Sequence, residues 1–158
     1  MKTSKYSIGL NKTKTEKLTK KLNSLLANYQ LLYMNVRGFH WNIKGDNFFE
    51  LHLKFEEIYN NLQVKIDEIA ERILTLGDTP LHSYSDYLQH SSIKEKTNYI
   101  NGKKSLSEIT NSLELIITLQ RELLSLATEA NDEGTSALMS DYIREQEKMI
   151  WMYSAYLN

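Results

Sequence analysis

Apolar residues recur every three or four positions through four long segments of this 158-residue sequence. That interval matches the α-helix, which turns once in about 3.6 residues and so gathers such residues on one face. The chain has only one proline and six glycines, the residues that most often end regular structure. The sequence therefore predicts a few long helices rather than many short strands.

Local signals mark where the predicted helices begin and end. We expect the first helix over residues 13–42, with Thr13 and Glu16 as a capping box at its start. A turn at residues 43–47 leads into a second helix, which we expect to end near Gly77. The apolar positions of the third helix are Leu106, Ile109, Leu113, Ile116, Leu123 and Ala127, and those of the fourth are Leu138, Tyr142, Met149, Tyr153 and Tyr156.

The connection after the second helix determines the topology. Residues 78–104 are polar and irregular, although Tyr84, Tyr87 and Leu88 are spaced to form one or two helical turns. The short first turn makes the first two helices antiparallel, while the long connection permits the third helix to run parallel to the second. We predict an all-α, ferritin-like four-helix bundle over residues 13–158, with a short extra helix in the crossover between helices two and three.

Charge is distributed unevenly, although the net charge is only −1. Residues 1–21 contain seven of the 19 basic side chains and one of the 20 acidic ones, so a basic tail at residues 1–12 is predicted ahead of an acidic body. Cysteine is absent, which excludes disulfides and thiolate metal sites and is compatible with a cytoplasmic protein. The sequence predicts no signal peptide, because no apolar core follows the N-terminal lysines, and no membrane span, because no apolar run approaches about 20 residues.

Histidines and carboxylates flank the first turn and recur along the second helix. His40 lies near the end of the first helix and His52 near the start of the second, so an antiparallel hairpin can bring them together. Glu56 follows His52 by four residues, and Asp67 and Glu71 have the same spacing, which puts each pair on one helix face. Imidazole and carboxylate ligands without thiolate suit iron, manganese or zinc.

Each of these features also has a structural interpretation. A histidine beside a turn is usually hydrogen-bonded or capping, and an acidic i, i+4 pair is usually a solvated face. Asp67 and Glu71, however, lie close to the apolar stripe of the second helix, where a buried carboxylate would be costly without a cation or a proton. This placement favours the metal interpretation.

The spacing also predicts that the site is shared between subunits. His52 and Asp67 are 15 residues apart on one helix, which corresponds to about 22 Å at ~1.5 Å per residue. Two such helices, antiparallel about a twofold axis near Tyr59 and Asn60, would bring the histidines of one subunit to the carboxylates of the other, at two identical sites. No histidine has a Glu three residues before it, so the intrachain Glu-x-x-His site of other bundles is not expected.

Short motifs extend this interpretation to a family. They are H-W at residues 40–41, F-F-E-L-H at 48–52 and D-E-I-A-E-R at 67–72, all within residues 37–76, and I-W-M-Y at 150–153. Together they resemble the Dps family, the DNA-binding proteins from starved cells. The resemblance implies a hollow homododecamer, Fe(II) oxidation preferentially by hydrogen peroxide, storage of ferric mineral and, in many members, protection of DNA.

The resemblance also assigns residues to the metal site. His40 and His52 match the histidine ligands from one subunit, and Asp67 and Glu71 match the carboxylate ligands from its twofold partner. These four residues would bind and oxidise iron, with up to two irons at each intersubunit site and no organic cofactor.

Two positions beside the site leave alternatives open. Glu56 stands where many family members have Asp, so a direct and a water-mediated ligand role both remain. Trp41 matches the tryptophan beside the family's metal centre, and it either relays an electron or packs at the interface.

The resemblance further suggests a pore and a nucleic-acid contact. Glu129, Asp132 and Glu133 lie near the turn whose acidic residues line threefold pores in the family. The local sequence A-N-D-E-G-T is not the family's commonest version, so a polar interhelical loop is the alternative. The basic leader resembles tails that hold DNA through phosphate contacts. Its candidate contacts are Lys2, Lys5, Lys12 and Lys14.

Three functions follow from these observations. The first is a cytoplasmic ferroxidase and iron store that consumes peroxide, associates with the nucleoid if it binds DNA, and protects the cell from oxidative damage. The second is a structural nucleoid protein with an incidental metal site. The third is a manganese-binding or peroxide-dependent ferritin-like protein of another assembly.

Overall fold

The computed structural model describes residues 7–158, and this part of the chain forms five helices joined by loops. They are α1, Lys12–Asn42; α2, Phe48–Thr75; α3, Tyr84–His90; α4, Gly102–Glu129; and α5, Glu133–Leu157. The predicted all-α bundle is confirmed, including the short helix in the crossover. Within the described residues, no helix is long and apolar enough to cross a membrane.

Contacts between the helices give the predicted topology. α1 and α2 are antiparallel, because Phe39 near the end of α1 packs against Phe55 near the start of α2. α1 and α4 are also antiparallel, since Lys21 pairs with Glu122 near the end of α4. α4 therefore runs parallel to α2, and the crossover spans the length of the bundle.

The core lies between the four long helices. Its fully buried apolar side chains include Leu22, Leu25, Leu32, Phe55, Leu62, Ile69, Ile109 and Leu123. They occupy the three-and-four-residue positions of their helices, and burying each such side chain stabilises the fold by about 1.5–3 kcal/mol.

The start of α1 differs from the prediction. Asn11 is the N-cap, and its side-chain oxygen accepts a hydrogen bond from the Lys14 amide at 3.2 Å. The expected capping box of Thr13 and Glu16 is therefore wrong, because the helix begins earlier and both residues already lie inside it. Asn and Thr are both good N-caps, so Asn11 and Thr13, two residues apart, were both possible starting points.

The end of α2 follows the prediction closely. Gly77 adopts a φ of 86°, a left-handed conformation that glycine reaches without strain. The Asp78 amide then donates to the Ile73 carbonyl at 3.1 Å, which satisfies a carbonyl of the last helical turn.

Asparagines of α1 hold the crossover against the bundle. The Asn28 side-chain oxygen accepts from the amides of Ser92 and Ile93 at 3.1 and 3.0 Å. Asn35 donates to the Lys94 carbonyl at 2.9 Å and accepts from the Lys96 amide at the same distance. These contacts satisfy backbone groups that would otherwise lack partners in an irregular segment.

Polar contacts join α2 to α5. Glu145 receives hydrogen bonds from Asn61 at 2.7 Å and from the buried Lys65 at 2.5 Å. Further along, Arg72 binds Asp132 at 2.5 Å. Lower residue numbers of α2 thus meet higher numbers of α5, which makes the two helices antiparallel.

Candidate metal centre

His40 and His52 meet at the first turn, as predicted. Their rings stack with centroids 3.8 Å apart and planes inclined by 17°. His40 is buried and His52 is half-buried, so the pair lies at the surface end of the α1–α2 contact. The antiparallel hairpin supplies the two imidazoles from two helices.

Reciprocal hydrogen bonds fix both imidazoles. Nδ1 of His40 lies 2.8 Å from the carbonyl oxygen of His52, and Nδ1 of His52 lies 2.8 Å from the carbonyl oxygen of His40. Because a carbonyl only accepts, each Nδ1 must carry a proton and donate it. In the neutral imidazole Nε2 is then unprotonated, and its lone pair is available to a metal ion.

Aromatic neighbours hold the ring orientations. Tyr59 of α2 presents its edge to His40 with centroids 5.3 Å apart. Phe48 stacks on the other imidazole, that of His52, at 5.1 Å. The two rings are therefore restrained by packing as well as by hydrogen bonds, as a preorganised ligand pair requires.

The carboxylates are placed differently from the expectation. Glu56 is half-buried, but Asp67 and Glu71 are exposed in the single chain. Ile69 and Ile73 of α2 face the core, and the helical rotation turns Asp67 and Glu71 away from it. The expectation that burial makes these two carboxylates costly is therefore wrong for one subunit alone.

The described part of one subunit brings together only some of the predicted ligands. Among residues 7–158, no three histidine or carboxylate side chains converge closely enough to hold a metal ion. His40 and His52 are together, whereas Asp67 and Glu71 lie far along α2. Any centre that uses all four residues needs a second chain.

A stripe of residues, exposed except for the half-buried Glu56, runs along α2. Its members, spaced three or four apart, are Phe49, Leu53, Glu56, Asn60, Val64, Asp67, Glu71 and Leu74. Phe49, Leu53 and Val64 are 82%, 59% and 58% exposed, unusual values for large apolar side chains that recur on one face. We call this set the α2 stripe.

Arg37 occupies an aromatic cage that sequence reasoning missed. Its guanidinium lies over the rings of Tyr59, Trp41 and Tyr33 at 4.7, 5.1 and 5.6 Å, and donates to the Tyr33 hydroxyl at 2.7 Å. Trp41 is 57% exposed on the outer side of this cage. The four-residue spacing of Tyr33, Arg37 and Trp41 was the available signal.

The three candidate pore residues have different surroundings. Asp132 is only 2% exposed and accepts from the Thr135 amide at 3.0 Å as the N-cap of α5. Its carboxylate also binds Arg72, so it already has donors within this chain. Glu129 and Glu133 are exposed, and their role in a pore stays a prediction.

The candidate DNA contacts are only partly described. Lys2 and Lys5 lie outside the described residues. Lys12 and Lys14 are exposed in the first turn of α1, where Lys14 donates to the Glu129 carbonyl at 2.8 Å. The contact between lysine and DNA stays a prediction.

Comparisons with known proteins agree on one family. The family model of the Ferritin-like domain matches residues 19–158. The chain is 43% identical over 148 residues to the DNA protection during starvation protein of Porphyromonas gingivalis, covering 94% of this chain and 93% of that protein.

Solved structures give the same result. The DPS protein from Vibrio cholerae O1, described as a member of a broad superfamily of ferritin-like diiron-carboxylate proteins, superposes with a TM-score of 0.96 at 56% identity. That match covers 100% of this chain and 99% of the other. A Dps protein from Bacillus brevis superposes with a TM-score of 0.89 at 34% identity over 92% and 98% of the two chains.

Proposed function

Since the chain belongs to the Dps family of ferritin-like proteins, we propose that it binds Fe(II), oxidises it with hydrogen peroxide and stores the ferric product. The reaction takes place at a centre that two subunits share. His40 and His52 come from one subunit, and Asp67 and Glu71 come from the other. The subunits form a homododecameric shell in the cytoplasm.

The observation that carries this proposal is an incomplete ligand set. The described chain holds two oriented imidazoles with free Nε2 atoms and no third ligand within reach. Two further carboxylates stand exposed on the same helix, on the same face as the exposed apolar side chains of Phe49, Leu53 and Val64. A second copy of α2 would complete the ligand set and cover the apolar face together.

Three pairs of residues on α2 are symmetric about one point. Glu56 lies as far before the midpoint between residues 61 and 62 as Asp67 lies after it. The same midpoint relates His52 to Glu71 and Phe49 to Leu74. An antiparallel pair of α2 helices with this midpoint on the twofold axis therefore sets His52 against Glu71 and Phe49 against Leu74, and it brings the Glu56 carboxylate opposite Asp67, as two ligands of one cation would lie. The midpoint lies about two residues beyond the axis position expected from the sequence.

Each ligand type has a defined part in the chemistry. Neutral imidazoles bind Fe(II), the substrate, while carboxylate oxygens also stabilise the harder Fe(III). Two Fe(II) ions give one electron each to one peroxide, whose O–O bond breaks, and two protons complete two waters. No hydroxyl radical is released in this balance.

Stopped-flow absorbance of the ferric product tests the proposal. Asp67→Ala combined with Glu71→Ala should abolish fast oxidation of Fe(II) by peroxide, because the carboxylate half of each centre is lost. Glu57→Ala is the matched control, since Glu57 is an exposed α2 carboxylate outside the α2 stripe. Equal rates in both variants and the wild-type protein would remove Asp67 and Glu71 from the centre.

A further inference from the structure

A chain of tyrosines leads from the candidate metal centre into the bundle. Tyr59 contacts His40, and the ring of Tyr33 meets that of Tyr59 edge-on with centroids 6.2 Å apart. Tyr29 lies one turn before Tyr33 on α1, where i, i+4 side chains are neighbours. Tyr142 of α5 follows, with its centroid 6.2 Å from that of Tyr29. The series therefore connects the surface histidine pair with the centre of the bundle.

The two ends of the tyrosine series have opposite electrostatic surroundings. Near the metal centre the Arg37 guanidinium lies over the rings of Tyr33 and Tyr59, and a fixed positive charge disfavours removing an electron from them. At the other end the hydroxyl of the buried Tyr142 donates to the exposed Glu68 carboxylate. Oxidation of a phenol releases a proton, so a hydrogen-bonded carboxylate favours it.

The remaining charges near Tyr142 do not cancel the electrostatic difference between the two ends of the tyrosine series. Lys65 lies over the Tyr142 ring at 4.9 Å, but its ammonium is paired with Glu145 at 2.5 Å. Glu68 thus remains as the carboxylate that Tyr142 contacts directly. An oxidising equivalent that enters near Arg37 is therefore more stable on Tyr142 than on Tyr33 or Tyr59.

Tyr29 lies between Tyr33 and Tyr142 in the series and is a protonated phenol. It is fully buried, and its hydroxyl accepts hydrogen bonds from Gln120 at 2.8 Å and from Gln146. Burial raises the pKa of Tyr29, and burial with the hydrogen bond to Glu68 raises that of Tyr142. Both residues are therefore protonated phenols at rest.

We propose that Tyr59, Tyr33 and Tyr29 relay an electron from Tyr142 to one-electron oxidants formed at the His40–His52 end of the bundle. This inference rests on the proposed function, because Fe(II) and peroxide supply the oxidant. The relay gives the protein a second protective activity, which acts when peroxide is reduced by one electron instead of two.

The step balances in electrons and protons. A single Fe(II) gives one electron to peroxide, whose O–O bond breaks into hydroxide and hydroxyl radical. Tyr142 loses one electron through the relay, and its phenolic proton passes to Glu68 along the existing hydrogen bond. The hydroxyl radical gains that electron and a solvent proton and becomes water. A neutral tyrosyl radical remains on Tyr142.

Tyr153 provides a matched control on the same helix. It is buried to a similar degree as Tyr142, and burial raises its pKa as well. Among the described residues, however, no carboxylate accepts a hydrogen bond from its hydroxyl. It has the burial of a relay tyrosine without the proton acceptor.

Rapid freeze-quench EPR after mixing the assembled protein with Fe(II) and excess peroxide tests the relay. The wild-type protein should give a tyrosyl radical, and Tyr142→Phe should lose it while Tyr153→Phe keeps it. Tyr33→Phe should also reduce the signal, because it interrupts the path and leaves Tyr142 in place. Circular dichroism and native mass check that each variant folds and assembles.

Ferric absorbance measured in the same mixtures separates the two proposals. Ferric product without a tyrosyl radical, or with the same radical in Tyr142→Phe and wild-type protein, overturns the relay and leaves the proposed function standing. Absence of ferric product in the wild-type protein overturns the proposed function, and the relay with it. Ferric product with a radical that depends on Tyr142 and Tyr33 supports both.

Discussion

Replacing Asp132 tests what holds the carboxylate end of α2 in position. Asp132 is buried, caps α5 through the Thr135 amide, and binds the Arg72 guanidinium at 2.5 Å. Arg72 follows Glu71 directly on α2, so this contact ties a candidate iron ligand to the start of α5. Gly134 permits the close approach, because a Cβ there would lie 2.9 Å from the Arg72 guanidinium.

The structure gives two separable contributions to the free energy of unfolding. Losing the N-cap costs about 1 kcal/mol, and losing the hydrogen bonds of a charged group costs about 1.5–3 kcal/mol. The Arg72 side chain is 20% exposed, so water replaces part of its interaction. We expect Asp132→Ala to lose about 3 kcal/mol, and Asp132→Asn, which keeps a capping oxygen, about 2 kcal/mol.

Urea unfolding followed by circular dichroism measures both variants. Protein concentration must be held constant, because association adds to the apparent stability. Asp141→Ala is the control, since it breaks an exposed pair with Arg144 on the same helix, worth at most about 0.5 kcal/mol. If Asp132→Ala unfolds at the same urea concentration as this control, the contacts of Asp132 with Arg72 and with the Thr135 amide do not stabilise the fold.

Three further variants test other parts of the account. Val64→Glu puts an unpaired charge in the centre of the α2 stripe, at a cost of several kcal/mol if that face is buried between subunits. Native mass spectrometry should find species smaller than the wild-type assembly, and an intact assembly would contradict the burial of the α2 stripe between subunits. Deleting residues 1–10, which removes Lys2 and Lys5 and keeps the Asn11 cap, should weaken a DNA gel shift that also weakens with salt, whereas an unchanged shift would exclude these two lysines as DNA contacts. Phe55→Ala should lower the free energy of unfolding by about 3–5 kcal/mol, because it leaves a cavity in the core; a loss below about 1 kcal/mol in urea unfolding would show that the site collapses.

Local sequence signals predicted most of the fold because each acts within a few residues. The apolar period gave the four long helices, and Gly77 marked the end of α2 at the position where a left-handed conformation is required. The predicted start of α1 was wrong because Asn11 and Thr13 both suit an N-cap, and only the folded chain selects between them.

The candidate site was less predictable, because its geometry depends on the rotation of α2 about its axis and on residues far away in the sequence. The meeting of His40 and His52 followed from a short turn, but the exposure of Asp67 and Glu71 depends on how α2 is rotated against the core. The buried position of Asp132 depends on Arg72, 60 residues earlier, a contact with no local sequence signal.

Subunit complementation tests the shared centre most directly. One chain carries His40→Ala and His52→Ala, the other carries Asp67→Ala and Glu71→Ala, and each alone should oxidise Fe(II) slowly. Coexpressed with different tags and purified as mixed assemblies, they should regain fast oxidation, because each heterodimer unites intact histidines with intact carboxylates at one of its two centres. Mixed assemblies as slow as either parent would contradict a centre built from two subunits.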